Sequence, residues 1–421
     1  MDLPQEIIDA IIDKVNSQGG RRSLSSVALC CRSFLHRAQS HLFRSINVAP
    51  SRCFQQDSDD WVMFHTILVE SPTIKYHVRE IFAKRLDYRP VYKTLAYLSW
   101  TCSEHDDASQ RHRLSNSIMK KWYIRKMSHL SYILNLLPSL EAIRLNYGMQ
   151  NWIEWRDILD TDGRKALTPF AFQQSMRSLI LCCTSHVPIT VMDSILGLSQ
   201  LTTLVLDHIT LDGDDLLQNW PRKSYLVNLE TFGFMQEYRH PDGLALSDMK
   251  RLVNLIICTA ARMIRKLILA HTLEGMTNIQ ILENLKVFST VAERPHYLPT
   301  ARLALEQIIA SQRQTIEVLE FFGMPNQCRK WAIDEVREDW KEFDDLLEDD
   351  AFSNLKEFRL LFESFQSSED VKKYDPQTYS VCYTTEEVVA LFKASLSKAS
   401  ARGVNFTYAL KHDQYGLLNR Y

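Results

Sequence analysis

The first fifty residues carry apolar positions at helical spacing. Ile7, Ile8, Ile11, Ile12 and Val15 form one broad stripe, and Pro4 suits the first turn of the helix that bears it. The cluster at 16–20 is rich in turn formers and stops that helix. Leu24, Val27, Ala28 and Cys31 predict a second short helix with Ser23 as a cap, and Phe34, Ala38 and Leu42 predict a third. Residues 43–48 read as a short strand leaving the unit. Three short helices bury too little surface for a self-sufficient core. The first helix also holds more isoleucine than one internal face needs. Burying such a side chain fully stabilises by roughly 1.5–3 kcal/mol, so the surplus row either meets a partner or packs on the downstream domain. Periodicity leaves both open.

From about Val78 a different pattern recurs: apolar, two variable, apolar, one variable, apolar. It stands at Leu140-Glu141-Ala142-Ile143-Arg144-Leu145 and Met176-Arg177-Ser178-Leu179-Ile180-Leu181. It returns from Leu201, Leu229, Ile264, Ile316 and Leu355, with a weaker copy at Leu285 and a first trace at Val78. The last three positions alternate with a strand's period of two. Helical stretches lie between copies, at 189–198, 246–261 and 301–311. Strand and helix alternating at short intervals predict a repeat array with a parallel sheet. The first anchors at 140, 176, 201, 229 and 264 are unevenly spaced, so the array is expected to be irregular. Two insertions interrupt it. Residues 103–116 read as a polar loop. Residues 334–350 read as an amphipathic helix, docked through Trp340, Phe343, Leu346 and Leu347 with an acidic outer side. A helix from Thr384 and a strand at 404–408 predict a C-terminal cap.

Composition narrows the chemistry. The chain has 421 residues, 45% hydrophobic and 24% charged, as expected of a folded protein of two or three domains. A formal net charge of −2 favours no polyanion, so no nucleic acid is expected as a partner. Nine cysteines at irregular spacing, with no C-x-x-C pair, predict free thiols in a reducing compartment. The N-terminus lacks a signal-peptide order, and Arg262, Arg265 and Lys266 break the most apolar helical stretch. No membrane association is expected, and the localisation expected is cytoplasmic or nuclear.

No phosphate loop, dinucleotide fingerprint, zinc-protease or nucleophile-elbow motif occurs, and twelve glycines leave few phosphate-cradling loops. The expectation is a protein that is not an enzyme and needs no cofactor or metal. His36 and His41 lie five apart, off the spacing for a shared metal. Residues 212–215 read as a turn and cap, not a calcium loop. Adjacent Cys182 and Cys183 would face opposite ways beside a strand. Residues 120–126 mix bases with aromatics but open a helix running into Leu130, Ile133, Leu134 and Leu137, and read as a solvated basic face.

Two resemblances complete the reading. Leu3-Pro4-x-Glu6-Ile7-Ile8-x-x-Ile11-Ile12-x-x-Val15, then Leu24-x-x-Val27-Ala28-Leu29-Cys30-Cys31-Arg32-Ser33-Phe34, then Ala38-x-x-x-Leu42-Phe43, resembles the F-box, especially its fungal form. Phe34 stands where many F-boxes carry tryptophan. The later motif resembles leucine-rich repeats, although Gly148, Thr184, Ile209 and Glu237 hold the places of the usual asparagine or cysteine. Together they imply an α/β chain: a three-helix F-box at 1–48, a linker helix region at 49–77, and an irregular leucine-rich-repeat-like solenoid with a cap at 78–421. The F-box resemblance implies docking on the Skp-family adaptor, which bridges to a cullin, with Leu3, Pro4, Ile7, Ile8, Ile11 and Leu29 as contacts. The chain would then be the substrate-recognition subunit of an SCF-type ubiquitin ligase, or alternatively an F-box protein with a structural or regulatory role outside an active ligase. In a repeat array, the variable residues between anchors line the concave face. Arg144, Val205, Gly233, Ile268, Glu320 and Arg359 are the positions that would bind an unidentified target protein.

Overall fold

The recurring apolar copies fold as parallel strands, as their alternation predicts. The computed structural model describes residues 4–48, 60–83, 130–146, 153–154, 174–212, 223–235, 246–270, 278–291, 298–311, 313–324, 328–329, 337–362, 382–383 and 385–410. The fold class is α/β, in two compact units, Met1–Leu216 and Leu217–Tyr421.

In the first unit the order is α1 (Gln5–Cys30), α2 (Arg32–Leu42), β1 (Ser45–Val48), α3 (Asp60–Glu70), β2 (Glu80–Ala83), α4 (Leu130–Leu136), β3 (Ala142–Asn146), β4 (Ile153–Glu154), β5 (Ser178–Pro188), α5 (Ile189–Leu196) and β6 (Thr203–Asp212). The strands run β1-β2-β3-β5-β6, all pairs parallel, with β4 also parallel to β5. The strand array thus starts at residue 45, inside the N-terminal segment. Gly20, at φ 66° and ψ −169°, breaks α1 into two helices, so three helical pieces precede β1. Only glycine adopts such a conformation without strain.

The second unit holds β7 (Thr231–Met235), α6 (Leu246–Ala260), β8 (Lys266–Ala270), β9 (Val287–Val291), α7 (Leu298–Ala310), β10 (Val318–Met324), β11 (Cys328–Arg329), α8 (Arg337–Leu346), β12 (Glu357–Phe362), β13 (Cys382–Tyr383), α9 (Thr385–Ser395), α10 (Ser397–Ala401) and β14 (Asn405–Leu410). Its parallel strands run β7-β8-β9-β10-β12-β14, and β11 and β13 form a separate antiparallel pair.

The anchors behave as core. Leu204, Leu206, Leu267, Leu269, Phe358 and Leu360 are all buried. The uneven spacing is absorbed between strands, because the strand starts are alike. The carbonyl of Arg44 accepts from the amides of both Arg79 (2.8 Å) and Glu80 (2.9 Å). Arg79, Glu141 and Arg177 do the same for the next strands of the first unit, and Glu230, Arg265, Lys286 and Glu317 repeat it in the second. From Arg79 onward, each such residue is the first variable position of a copy, directly after its first apolar anchor. In the second unit Phe321 stacks on Phe358 at 4.9 Å, and Trp340 of α8 meets Phe321 and Phe392 edge-on at 4.9 and 4.4 Å. Such aromatic pairs add to the burial of their area.

Candidate docking surfaces

At the N-terminus, the apolar stripe of α1 divides in two. Ile8 and Ile12 turn inward and, with Leu24 and Ala38, form the buried centre of the helical module. Val15, Val27, Ala28, Phe34 and Leu42 pack around it. Ile7 and Ile11 lie outside this core, 48% and 44% exposed, and Leu29 is 87% exposed. Pro4 is exposed at the start of the same helix. Of the expected adaptor contacts, Ile8 is therefore corrected: it serves the module's own core. Leu3 lies outside the described residues. The Gln5 side-chain amide reaches the Ser33 carbonyl at 3.5 Å, so the first turn of α1 sits beside the start of α2.

A buttress holds the two helices in register. Arg37 of α2 donates from Nε and Nη2 to both oxygens of Asp13, each at 2.7 Å, and His41 Nε2 lies 2.7 Å from Asp13 Oδ1. The bidentate fork from Arg37 draws the Asp13 carboxyl down from its ordinary 3.8 to about 2; burial opposes this and the His41 contact aids it. His41 is thereby occupied with a carboxylate of its own module.

The expected target contacts do share one row of the sheet, in register. In the first unit Asn47, Phe82, Arg144, Ile180 and Val205 are successive partners across five strands. In the second, Gly233, Ile268, Ser289, Glu320, Arg359 and Thr407 are. The expectation that this row is open to a partner is corrected at Val205 and Ile268, both 0% exposed, and at Glu320, 2% exposed. Gly233 is also buried. Consecutive Leu204, Val205 and Leu206 are all buried, as are Leu267, Ile268 and Leu269. Since successive side chains face opposite ways, both faces of these strands are covered, the usual state of parallel sheets.

Arg144 and Arg359 are half-buried. Arg359 is held by two carboxylates. Its Nε and Nη2 donate to Glu357 at 3.0 and 2.7 Å, and its Nη1 donates to Glu320 at 2.6 Å. Glu320 also takes Lys266 Nζ at 2.7 Å and the Ser289 hydroxyl at 2.5 Å, and the Thr407 hydroxyl donates to Glu357. The result is a charge ladder across β8, β9, β10, β12 and β14. Burial disfavours ionised Glu357, but the Arg359 and Thr407 hydrogen bonds and the Arg359 charge outweigh it and hold that carboxyl low. Sequence pattern finds the row but not the ladder, because its cross-strand contacts join residues 31 to 50 or more positions apart.

The acidic helix docks through the expected side: Trp340, Phe343 and Leu347 are buried, while Leu346 is half-buried. Its carboxylates are engaged at home. Asp344 accepts from the Lys398 and Ala399 amides at 2.8 and 3.0 Å, capping α10. Lys398 holds Asp345 and Glu348, and Arg302 holds Glu342. Asp345, Glu348 and Glu342 thus each have a cation of the chain beside them.

Asparagine does stitch the copies, at a place the pattern does not suggest. Asn284 Nδ2 donates to the Arg262 carbonyl and Asn354 Nδ2 to the Gln314 carbonyl, both at 2.6 Å. Each stands one residue before the first apolar anchor of its copy. Among the described residues no cluster of three or more metal-type ligands occurs, and no helix is long and apolar enough to cross a membrane. Residues 103–116, 120–126 and 213–215 lie outside the described residues. No protein-family model matches the chain, and no curated protein matches it.

Proposed function

We propose that the N-terminal module is an F-box and that the chain is a substrate receptor of an SCF-type ubiquitin ligase. The observation that carries the reading is the split stripe of α1. Ile8 and Ile12 complete a small core while Ile7, Ile11, Pro4 and Leu29 stay at the surface, although a module this small gains most from burying every isoleucine it has. Covering the exposed half of each isoleucine with a partner contributes about 1 kcal/mol apiece. In the order of the chain, these residues fall at the positions where the F-box resemblance puts contact with the Skp-family adaptor.

On this reading the strand copies behind the module form an irregular leucine-rich-repeat-like region that holds a target protein. Ubiquitin transfer belongs to other subunits. This chain supplies proximity, raising the effective concentration of target lysines at the ligase.

The test is co-purification of the adaptor and the cullin with the full chain. Replacing Ile7 and Ile11 by Asp removes the adaptor while the thermal unfolding midpoint stays within a few degrees, because both residues are half in solvent. Unchanged adaptor recovery sinks the F-box assignment. Recovery of adaptor without cullin moves the chain to a role outside an active ligase.

A further inference from the structure

With the expected contact row largely buried, a target must be held elsewhere, and the second unit offers a groove along the edge where its strands begin. One cavity of about 650 Å³ is lined by residues from successive turns, among them Val227, Arg262, Met263, Ile281, Glu283 and Arg313. A second, of about 310 Å³, is lined by Asn284, Lys286, Gln314, Glu317, Asn354 and Lys356. The first draws on the turns leading into β7, β8, β9 and β10, and the second on those leading into β9, β10 and β12. Neighbouring strands lie about 4.8 Å apart, so equivalent side chains recur in a row along this edge.

Charge selects the occupant. The two linings carry four cations, Arg262, Arg313, Lys286 and Lys356, against two carboxylates, Glu283 and Glu317. Three of the cations are accessible, the side chains of Arg262, Lys286 and Lys356 being 83%, 53% and 70% exposed, while Arg313 is half-buried and donates to the Ile281 carbonyl at 3.1 Å. Lys286 and Lys356 clasp the same carboxylate, Glu317, at 2.7 and 2.9 Å. An ammonium has three donors, so each lysine can hold a further acidic group. Hydrogen bonds from the two lysines, with their charges, bring Glu317 down to about 2. Arg262 Nε stands 3.6 Å from Glu283 Oε1. Apolar footing lies alongside, where Val227 and Tyr225 are 52% and 48% exposed.

We propose that this strand-start edge of the second unit binds an extended acidic peptide segment of the target, with an apolar side chain seated by Val227, Met263 and Ile281. The proposal rests on the receptor reading above and names the chemistry of what that receptor holds. Carboxylates or phosphoryl groups of the segment meet Arg262, Arg313, Lys286 and Lys356 through charge-assisted hydrogen bonds.

The experiment uses the full chain and a fluorescein-labelled twelve-residue peptide of Asp and Glu around one Leu, read by anisotropy. Its arms are the same peptide with Lys for every acid, a phosphoserine version, and a single-stranded oligonucleotide. The acidic peptide binds, the lysine peptide does not, and Arg262→Glu with Lys356→Glu weakens binding at least about tenfold, the equivalent of 1.4 kcal/mol. A parallel Arg262→Gln, Lys356→Gln chain, which adds no repulsion, shows a smaller loss in the same direction. A tighter phosphoserine peptide assigns the acid to a modified target. Equal affinity in wild type and variants overturns the proposal, and so does an oligonucleotide that binds more tightly than the peptides. Adaptor capture is measured on the same preparations. Adaptor bound with no acidic peptide bound rejects the groove and keeps the receptor reading. The reverse result rejects the receptor reading and keeps the groove.

Discussion

At the scale of single residues, two positions in the N-terminal module set the geometry that a partner meets. Asp13 joins α1 to α2 through Arg37 and His41. Its carboxyl titrates lower folded than unfolded, so the stability it contributes is present above its ordinary 3.8 and is lost as pH falls through about 2. The Asp13 and Arg37 side chains are 45% and 39% exposed, and solvent screening limits the contribution to about 1 kcal/mol. Urea unfolding of wild type and Asp13→Asn at a series of pH values checks this: a gap near neutrality that closes as the pH approaches 2. A gap independent of pH means that the pair contributes packing and not charge. Gly20 acts through the backbone. An added Cβ meets nothing within 4 Å, so Gly20→Ala has no clash to relieve. Its positive φ alone makes alanine cost about 1–2 kcal/mol. Unfolding midpoints for wild type and Gly20→Ala measure that cost.

At the scale of elements, the charge ladder has a consequence for stability. Glu320 is 2% exposed and holds Lys266, Arg359 and Ser289. Removing the carboxylate takes from Lys266 on β8 and Arg359 on β12 the buried anion they share, so Glu320→Ala destabilises the second unit by about 3 kcal/mol. Replacing Lys266 and Glu320 together by Met and Leu recovers most of the loss, since no uncompensated charge then remains at that point. Denaturant midpoints of the single and double variants decide it, and additivity of the two changes excludes the ladder as a unit. The same strands show how far sequence reaches. Period two finds the anchors, because Leu204 and Leu206 must share a face whatever lies around them. It cannot say whether Val205 between them meets solvent, which depends on a second covering layer. The unbroken runs Leu204-Val205-Leu206 and Leu267-Ile268-Leu269 are the one local hint, since parallel strands buried on both faces read as continuous apolar runs. The helices are similar. Ile7 and Ile11 lie four apart, as do Ile8 and Ile12, so periodicity shows two adjacent rows. A rotation of about 100° per residue decides which one faces Leu24 and Ala38. That choice is made by the partner helices.

At the scale of the whole molecule, each unit carries a core of its own residues. In the first, Leu179, Leu181, Leu204 and Leu206 lie buried on strands and Met192 and Ile195 on α5. In the second, the core includes an aromatic cluster: Phe321, Phe358, Phe392 and Trp340 meet at ring distances of 4.4 to 6.0 Å. Phe358 is central to it, 0% exposed, stacked on Phe321 and on Phe406 of β14, and touched edge-on by Trp340. Phe358→Ala removes a ring that four elements share, and the cavity and lost transfer energy together cost about 3–5 kcal/mol. The loss falls first on what packs against the ring. Amide hydrogen exchange followed by mass spectrometry should show faster exchange in α8, β10, β12 and β14, with protection of α1 and α2 kept. Phe358→Leu, which refills most of the volume, should restore protection in those segments by more than half. Such a variant still presents Ile7 and Ile11, so it still captures the adaptor if the module is an F-box, while its hold on an acidic peptide at the strand-start edge weakens with the strands that frame it. Uniformly raised exchange from α1 to β14 would show instead that the chain opens as one cooperative body.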